Sequence, residues 1–181
     1  MLVGKRLGSE RIRRYNMQIE KFEENEGLEL SDAFFMAEAL KEARLAAEEG
    51  EVPVGAVIAR DGRIIGRGRN AREYGKNALA HAEIAAINQA CAELGGWRLT
   101  RCTLYVTLEP CPMCAGAIIS ARIPRVVSAV KDAKAGAFGS VLNMNSYPLN
   151  HKADTEFGLM SEQSSELLSG FFRSLREKLR K

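Results

Sequence analysis

The sequence predicts an α/β fold, a sandwich of helices on one mixed β-sheet. Two short strand-like runs, 54–59 and 63–68, are joined by Asp61-Gly62, and Asp-Gly between apolar runs is a strong hairpin signal. Helix-like and strand-like stretches then alternate over 81–94, 102–108, 111–121 and 125–130. The 181 residues are 46% hydrophobic and 27% charged, the balance of one ordinary globular domain with a real core.

Residues 1–30 stand apart from this pattern. They carry Arg11, Arg13 and Arg14, then Glu20, Glu23, Glu24 and Glu26, and read as a variable, mobile extension before a single domain over 31–181. A basic arm that touches RNA is the sharper reading, weakened by the acids that follow, and Met17 is a second possible start. Lys5 and Arg6 are not followed by an apolar h-region, and no apolar run reaches membrane-spanning length. Four cysteines in such a chain point to a reducing cytoplasm, where metal binding or catalysis is expected before disulfides. The net charge of +3 permits a nucleic-acid partner without demanding one.

Ser31 is placed to cap a helix that Gly50 ends, and Phe35, Met36, Ala39, Leu40, Ala43 and Ala46 give its core stripe. In the hairpin, Gly55, Gly66 and Gly68 allow a ligand or a backbone to come close. Asn70 ends the second strand, and the loop 71–80 is the expected rim of a site. The next helix opens at His81, buries Ile84, Ile87, Cys91 and Leu94, and stops at Gly95-Gly96, with Trp97 as an apolar plug. A buried strand then runs to Glu109-Pro110. Pro110 and Pro112 bracket Cys111 at a helix start, where proline is tolerated. Ala115, Gly116 and Ala117 suit close packing of that helix. A strand over 125–130 leads to a long polar loop, 131–145, of the kind that often carries function. The last helix, 162–181, sets Leu168, Phe171, Phe172, Leu175 and Leu179 on its apolar side. Its many arginines and lysines form a solvated face or a phosphate contact.

Two short pieces carry the chemistry. Ala80-His81-Ala82-Glu83 and Glu109-Pro110-Cys111-Pro112-Met113-Cys114 supply one imidazole, two thiolates and a free carboxylate, that of Glu83. Zinc takes nitrogen and sulfur in a tetrahedron, and a catalytic site keeps one position open. Cys111 and Cys114 stand one helical turn apart, so both thiolates can face one ion. Exposed amides at a helix start favour those thiolates. His81 and Glu83 point different ways, so one can hold the metal while the other serves the open position as acid and base. Two other readings compete: a core histidine with core thiols, and a closed structural zinc site with Cys91 or Cys102 as fourth ligand. His151 is an alternative imidazole with no partner in the sequence.

His-x-Glu followed by Pro-Cys-x-x-Cys is the signature of the zinc nucleobase deaminases. From about Asp32 onward the chain resembles the bacterial tRNA-specific adenosine deaminases of the cytidine/deoxycytidylate deaminase superfamily. The shared residues are 52–57, Asn70, 81–83, 103–111, 113–117, Asp132-Ala133-Lys134, Gly136-Ala137, Gly139-Ser140 and Phe171-Phe172-Arg173. The stretch 77–80 departs from the family's usual Asp-Pro-Thr-Ala approach to the histidine, and residues 1–30 have no counterpart. The resemblance implies a three-layer α/β/α sandwich on a mixed five-stranded sheet, cytidine-deaminase-like. It also implies a homodimer with one zinc ion per subunit that converts the anticodon wobble adenosine of tRNA to inosine. Asn70 would hold the flipped base, and the Asp132 loop and the last helix would meet RNA. The alternatives are a free-base or nucleotide deaminase acting on guanine or cytosine derivatives, and a noncatalytic, zinc-stabilised RNA-binding module.

Overall fold

The computed structural model describes residues 31–180. The expectations for residues 1–30 lie outside the described residues, as does Lys181. In chain order the elements are α1 (Asp32–Glu48), β1 (Gly55–Arg60), β2 (Arg63–Arg69), α2 (Arg72–Gly75), α3 (Ala82–Leu94) and β3 (Thr103–Leu108). They continue with α4 (Pro112–Ser120), β4 (Arg125–Val130), a 3-10 turn (Met144–Ser146), β5 (Asp154–Phe157) and α5 (Ser161–Leu179). The sheet order is β2-β1-β3-β4-β5. β1 runs antiparallel to β2 and β3, while β3, β4 and β5 are mutually parallel, so the sheet is mixed.

Alternation along the strands divides the core in two. Ala56, Ile58, Leu104, Val106 and Val126 point to the face covered by α3 and α4, and pack on Ala82, Ala86, Ala90, Ala115 and Ile118. Val57, Ala59, Tyr105, Val127 and Ala129 point to the other face and meet Phe35, Met36 and Ala39 of α1. α5 lies on that second face, where the Ser164 hydroxyl donates to the Thr107 carbonyl at 2.6 Å. Three layers result. The hairpin turn is built as its sequence requires: Asp61 and Gly62 take φ of 50° and 75°, the left-handed pair a two-residue turn of this kind needs.

Several expectations are corrected. The sheet has the five strands that the resemblance implies, but the position of the fifth, β5, is not marked in the sequence, because its four residues are too short a run for alternation to declare itself. Ser31 stands at the N-cap of α1 but makes no capping bond. On α3, Ile87 is buried in the core and the half-buried Cys91 and Leu94 pack against it as expected, but Ile84 is only half-buried and the side seated on the sheet is Ala82, Ala86 and Ala90. The cause lies in β2, since a Cβ on Gly68 would overlap the Ala82 carbonyl and one on Gly66 the Ala86 carbonyl. α3 therefore seats its backbone directly on the strand. At the outer edge of β2, the Arg67 amide donates to the Gln89 side chain of α3 at 2.6 Å.

Trp97 is no plug. It is 51% exposed, with the Arg98 guanidinium 4.0 Å from its ring centre and Arg122 at 6.0 Å, a surface cation–π cluster. A Cβ on Gly116 would meet nothing within 4 Å among the described residues, so α4 is not closely packed at that point. α5 docks only its first half: Phe172, Leu175 and Leu179 are exposed.

Candidate metal centre

His81 and Cys111 occupy equivalent places in the fold. Each is the extended N-cap residue of a helix, His81 of α3 and Cys111 of α4, with Pro112 opening the second. Neither side chain caps its own helix. Both are therefore free to point away from the helix start. The first amide of α3, Ala82, instead donates to Asn70 Oδ1 at 3.1 Å. Asn70 is buried at the end of β2 and thus fixes the His81 turn from outside.

The two helix starts meet. His81 Nδ1 lies 3.8 Å from Cys111 Sγ and 3.6 Å from Cys114 Sγ. The three donor atoms all fall within 4.8 Å of one another. Cys114 is fully buried while His81 and Cys111 are half-buried, so the centre opens on the side of His81 and Cys111.

Proton sharing follows from this crowding. The hydrogen bond from the Cys114 thiol pulls Cys111 down to about 4, with His81 adding to the effect. The same bond, together with burial, pushes Cys114 far up. His81 is raised, first by its hydrogen bond with Cys111 and then by the charge on Glu83, while the nearby Arg72 guanidinium opposes it. Burial pushes the Glu83 carboxyl up.

Glu83 is 3% exposed, and its Oε2 is buried with no hydrogen-bond partner among the described residues. An orphaned carboxylate oxygen is costly unless something else serves it. One imidazole nitrogen and two thiol sulfurs at helix N-termini, beside a carboxyl group outside the cluster, fit a metal centre with one position left over. Neither Cys91 nor Cys102 joins the donor cluster among the described residues, which removes the closed four-ligand arrangement. His151 is not part of it either; its Nε2–H donates to the Ile123 carbonyl at 2.8 Å.

Asp132 sits elsewhere in the arrangement. Its Oδ1 accepts the Lys134 amide at 2.9 Å, an Asx turn folded back on its own loop. The rim 71–80 contains α2 and is exposed from Arg72 to Leu79. Two buried acids near the site have roles that the sequence does not assign. Glu51 accepts the Tyr74 amide at 2.8 Å and holds the rim. Glu109 accepts the amides of Asp132, Phe138 and Ser140 at 3.0, 2.9 and 3.2 Å, and the Ser140 hydroxyl as well. For Glu109 the available signal is an acid directly after a buried apolar strand, where a charge needs partners.

Comparisons with known proteins agree with this chemistry. The family model described as MafB19-like deaminase matches residues 30–176. A tRNA-specific adenosine deaminase of Bacillus subtilis is 48% identical over 148 residues, 81% of this chain and 92% of that protein. One from Aquifex aeolicus is 46% identical over 147 residues, 81% of this chain and 97% of its own length. Among solved structures, one from a study of A-to-I editing by tRNA:A34 deaminases superposes with a TM-score of 0.72 at 48% identity, covering 74% of this chain and 98% of that one. A guanine deaminase of Bacillus subtilis superposes less well, with a TM-score of 0.54 at 30% identity over 81% of this chain and 94% of its own.

Proposed function

The chain belongs to the tRNA-specific adenosine deaminase family, and on that premise we propose that it hydrolyses adenosine to inosine at the wobble position of a tRNA anticodon. The observation that carries this reading is the buried Glu83 carboxyl, whose Oε2 has no hydrogen-bond partner among the described residues, beside the His81, Cys111 and Cys114 donors. Those three side chains would hold one zinc ion per subunit. When bound, zinc supplies Lewis acidity that makes water a nucleophile near neutral pH.

The protein's own groups then handle base and protons. Glu83 takes one proton from the attacking water and delivers it to the ring nitrogen next to C6, then takes the remaining proton from the oxygen now bonded to C6 and passes it to the departing amine. The water oxygen bonds to C6, the C6–N6 bond breaks, and ammonia leaves. One group must both accept and donate, and burial raises Glu83 toward that range. Asn70 has its Oδ1 committed to Ala82, which leaves its amide NH2 for the extruded base. Extruding a base costs a few kcal/mol, least in an unpaired loop such as an anticodon.

The Asp132 loop and the basic end of α5 would meet the RNA. The active form is a homodimer in the cytoplasm; no helix among the described residues is long and apolar enough to cross a membrane. The 30%-identical guanine deaminase defines the rival substrate class. Product analysis with an anticodon stem-loop, and separately with guanine and cytidine, decides: inosine only in the stem-loop is expected, and turnover of a free base alone would reject the reading. Glu83→Ala is expected to keep its zinc and lose at least about a hundredfold in rate.

A further inference from the structure

The 132–140 loop is tied to the centre through one side chain. The last ladder contact between the ends of β3 and β4 is the Glu109 amide to the Val130 carbonyl, 2.8 Å. Beyond it the chain leaves the sheet and folds around the Glu109 carboxylate, which is 2% exposed. Oε2 accepts the Asp132 amide at the start of the loop, and Oε1 accepts the amides of Phe138 and Ser140 at its end. The Ser140 hydroxyl donates to Oε2. The Ala137 amide adds a bond to the Pro110 carbonyl at 2.9 Å. Gly136 must lack a side chain, because a Cβ there would overlap the Glu109 carboxylate. All these contacts converge on the peptide 109–110, which runs directly into Cys111. Lys131, Ala133 and Lys134 meanwhile remain at the surface.

We propose that Glu109 is a positioning residue for the reaction: it clamps the 132–140 loop to the Cys111 end of the centre, so that RNA held by the loop is in register with the metal donors and Glu83. This rests on the tRNA deaminase reading. A carboxylate is required because both oxygens face N–H donors. A glutamine of the same shape would turn an NH2 toward one set of them and repel it.

The test uses the zinc-loaded full chain and an anticodon stem-loop. Glu109→Gln should raise KM about tenfold, the scale of one lost charged hydrogen bond, with kcat changed much less and zinc content unchanged. In the same sample, without RNA, the amides of Asp132, Phe138 and Ser140 should exchange faster while those of α3 do not. Ser140→Ala, a milder change that keeps the carboxylate, should move KM and exchange the same way by a smaller factor. If Glu109→Gln does not fold, Ser140→Ala decides alone. Unchanged KM and loop exchange in these variants overturn the proposal, as does a loss of activity that tracks lost zinc. A wild-type protein that leaves the stem-loop untouched overturns the functional reading itself, and the proposal with it.

Discussion

Asp32 grips Arg125 with both oxygens, at 2.8 and 2.6 Å, and accepts the Tyr105 hydroxyl at 2.6 Å. The hydrogen bond from Arg125 lowers its carboxyl from the ordinary 3.8 to about 2, and the Tyr105 hydroxyl is pushed up by burial and by Asp32. A depressed carboxyl contributes stability that is fully present above pH 3.8 and lost as pH falls through about 2. The pair is 41% exposed on the Asp32 side, so screening keeps its worth to about 1 kcal/mol. Asp32→Asn should lower urea stability by that amount at pH 7, and the gap from wild type should close between pH 4 and pH 2. At this scale the proximity of side chains is legible where a motif's spacing sets it. His81, Cys111 and Cys114 do meet, because a helix start can be recognised locally. Glu109 and Glu51 were missed because their partners are backbone amides contributed by a different part of the chain, and an amide leaves no mark in the letters.

Elements were legible to within a residue or two wherever a hydrophobic period ran long enough, as in β4 and α3. Faces were legible in part. Ile87 is buried in the core and Cys91 and Leu94 pack against it, as their spacing predicts, but the residues seated directly on β2 are alanines, because that strand offers glycines rather than side chains. This seat also fixes where His81 and Glu83 sit. Gly68→Ala would drive a methyl group into the Ala82 carbonyl, one residue from His81. Overpacking of this kind costs about 1–3 kcal/mol. The expected outcome is a lower melting temperature together with weaker zinc retention in competition with a chelator. Gly116→Ala, where there is open space, serves as the control and should change neither.

Across the whole molecule, the donors come from helix starts thirty residues apart in the chain, so an ion bound there cross-links α3 to α4. A ligand that binds only the folded state adds about 2.7 kcal/mol at a hundred times its dissociation constant. Zinc removal should therefore lower the melting temperature, and restored zinc should recover it; equal melting curves with and without metal would count against the centre. The family match begins at residue 30, and the described sheet and both helix layers begin after it. A chain starting at Ser31 should accordingly fold and deaminate the stem-loop at a rate close to that of the full chain, as measured by inosine formed.

The Gln89 oxygen on the Arg67 amide has one more consequence, for assembly. An approaching strand would find that rung of the ladder already taken by a carboxamide, with the arginines at 63, 67 and 69 alongside. Growth of the sheet past β2 into a neighbouring subunit, or into a fibril, is blocked at that border. A twin of this chain would therefore not extend the sheet at β2.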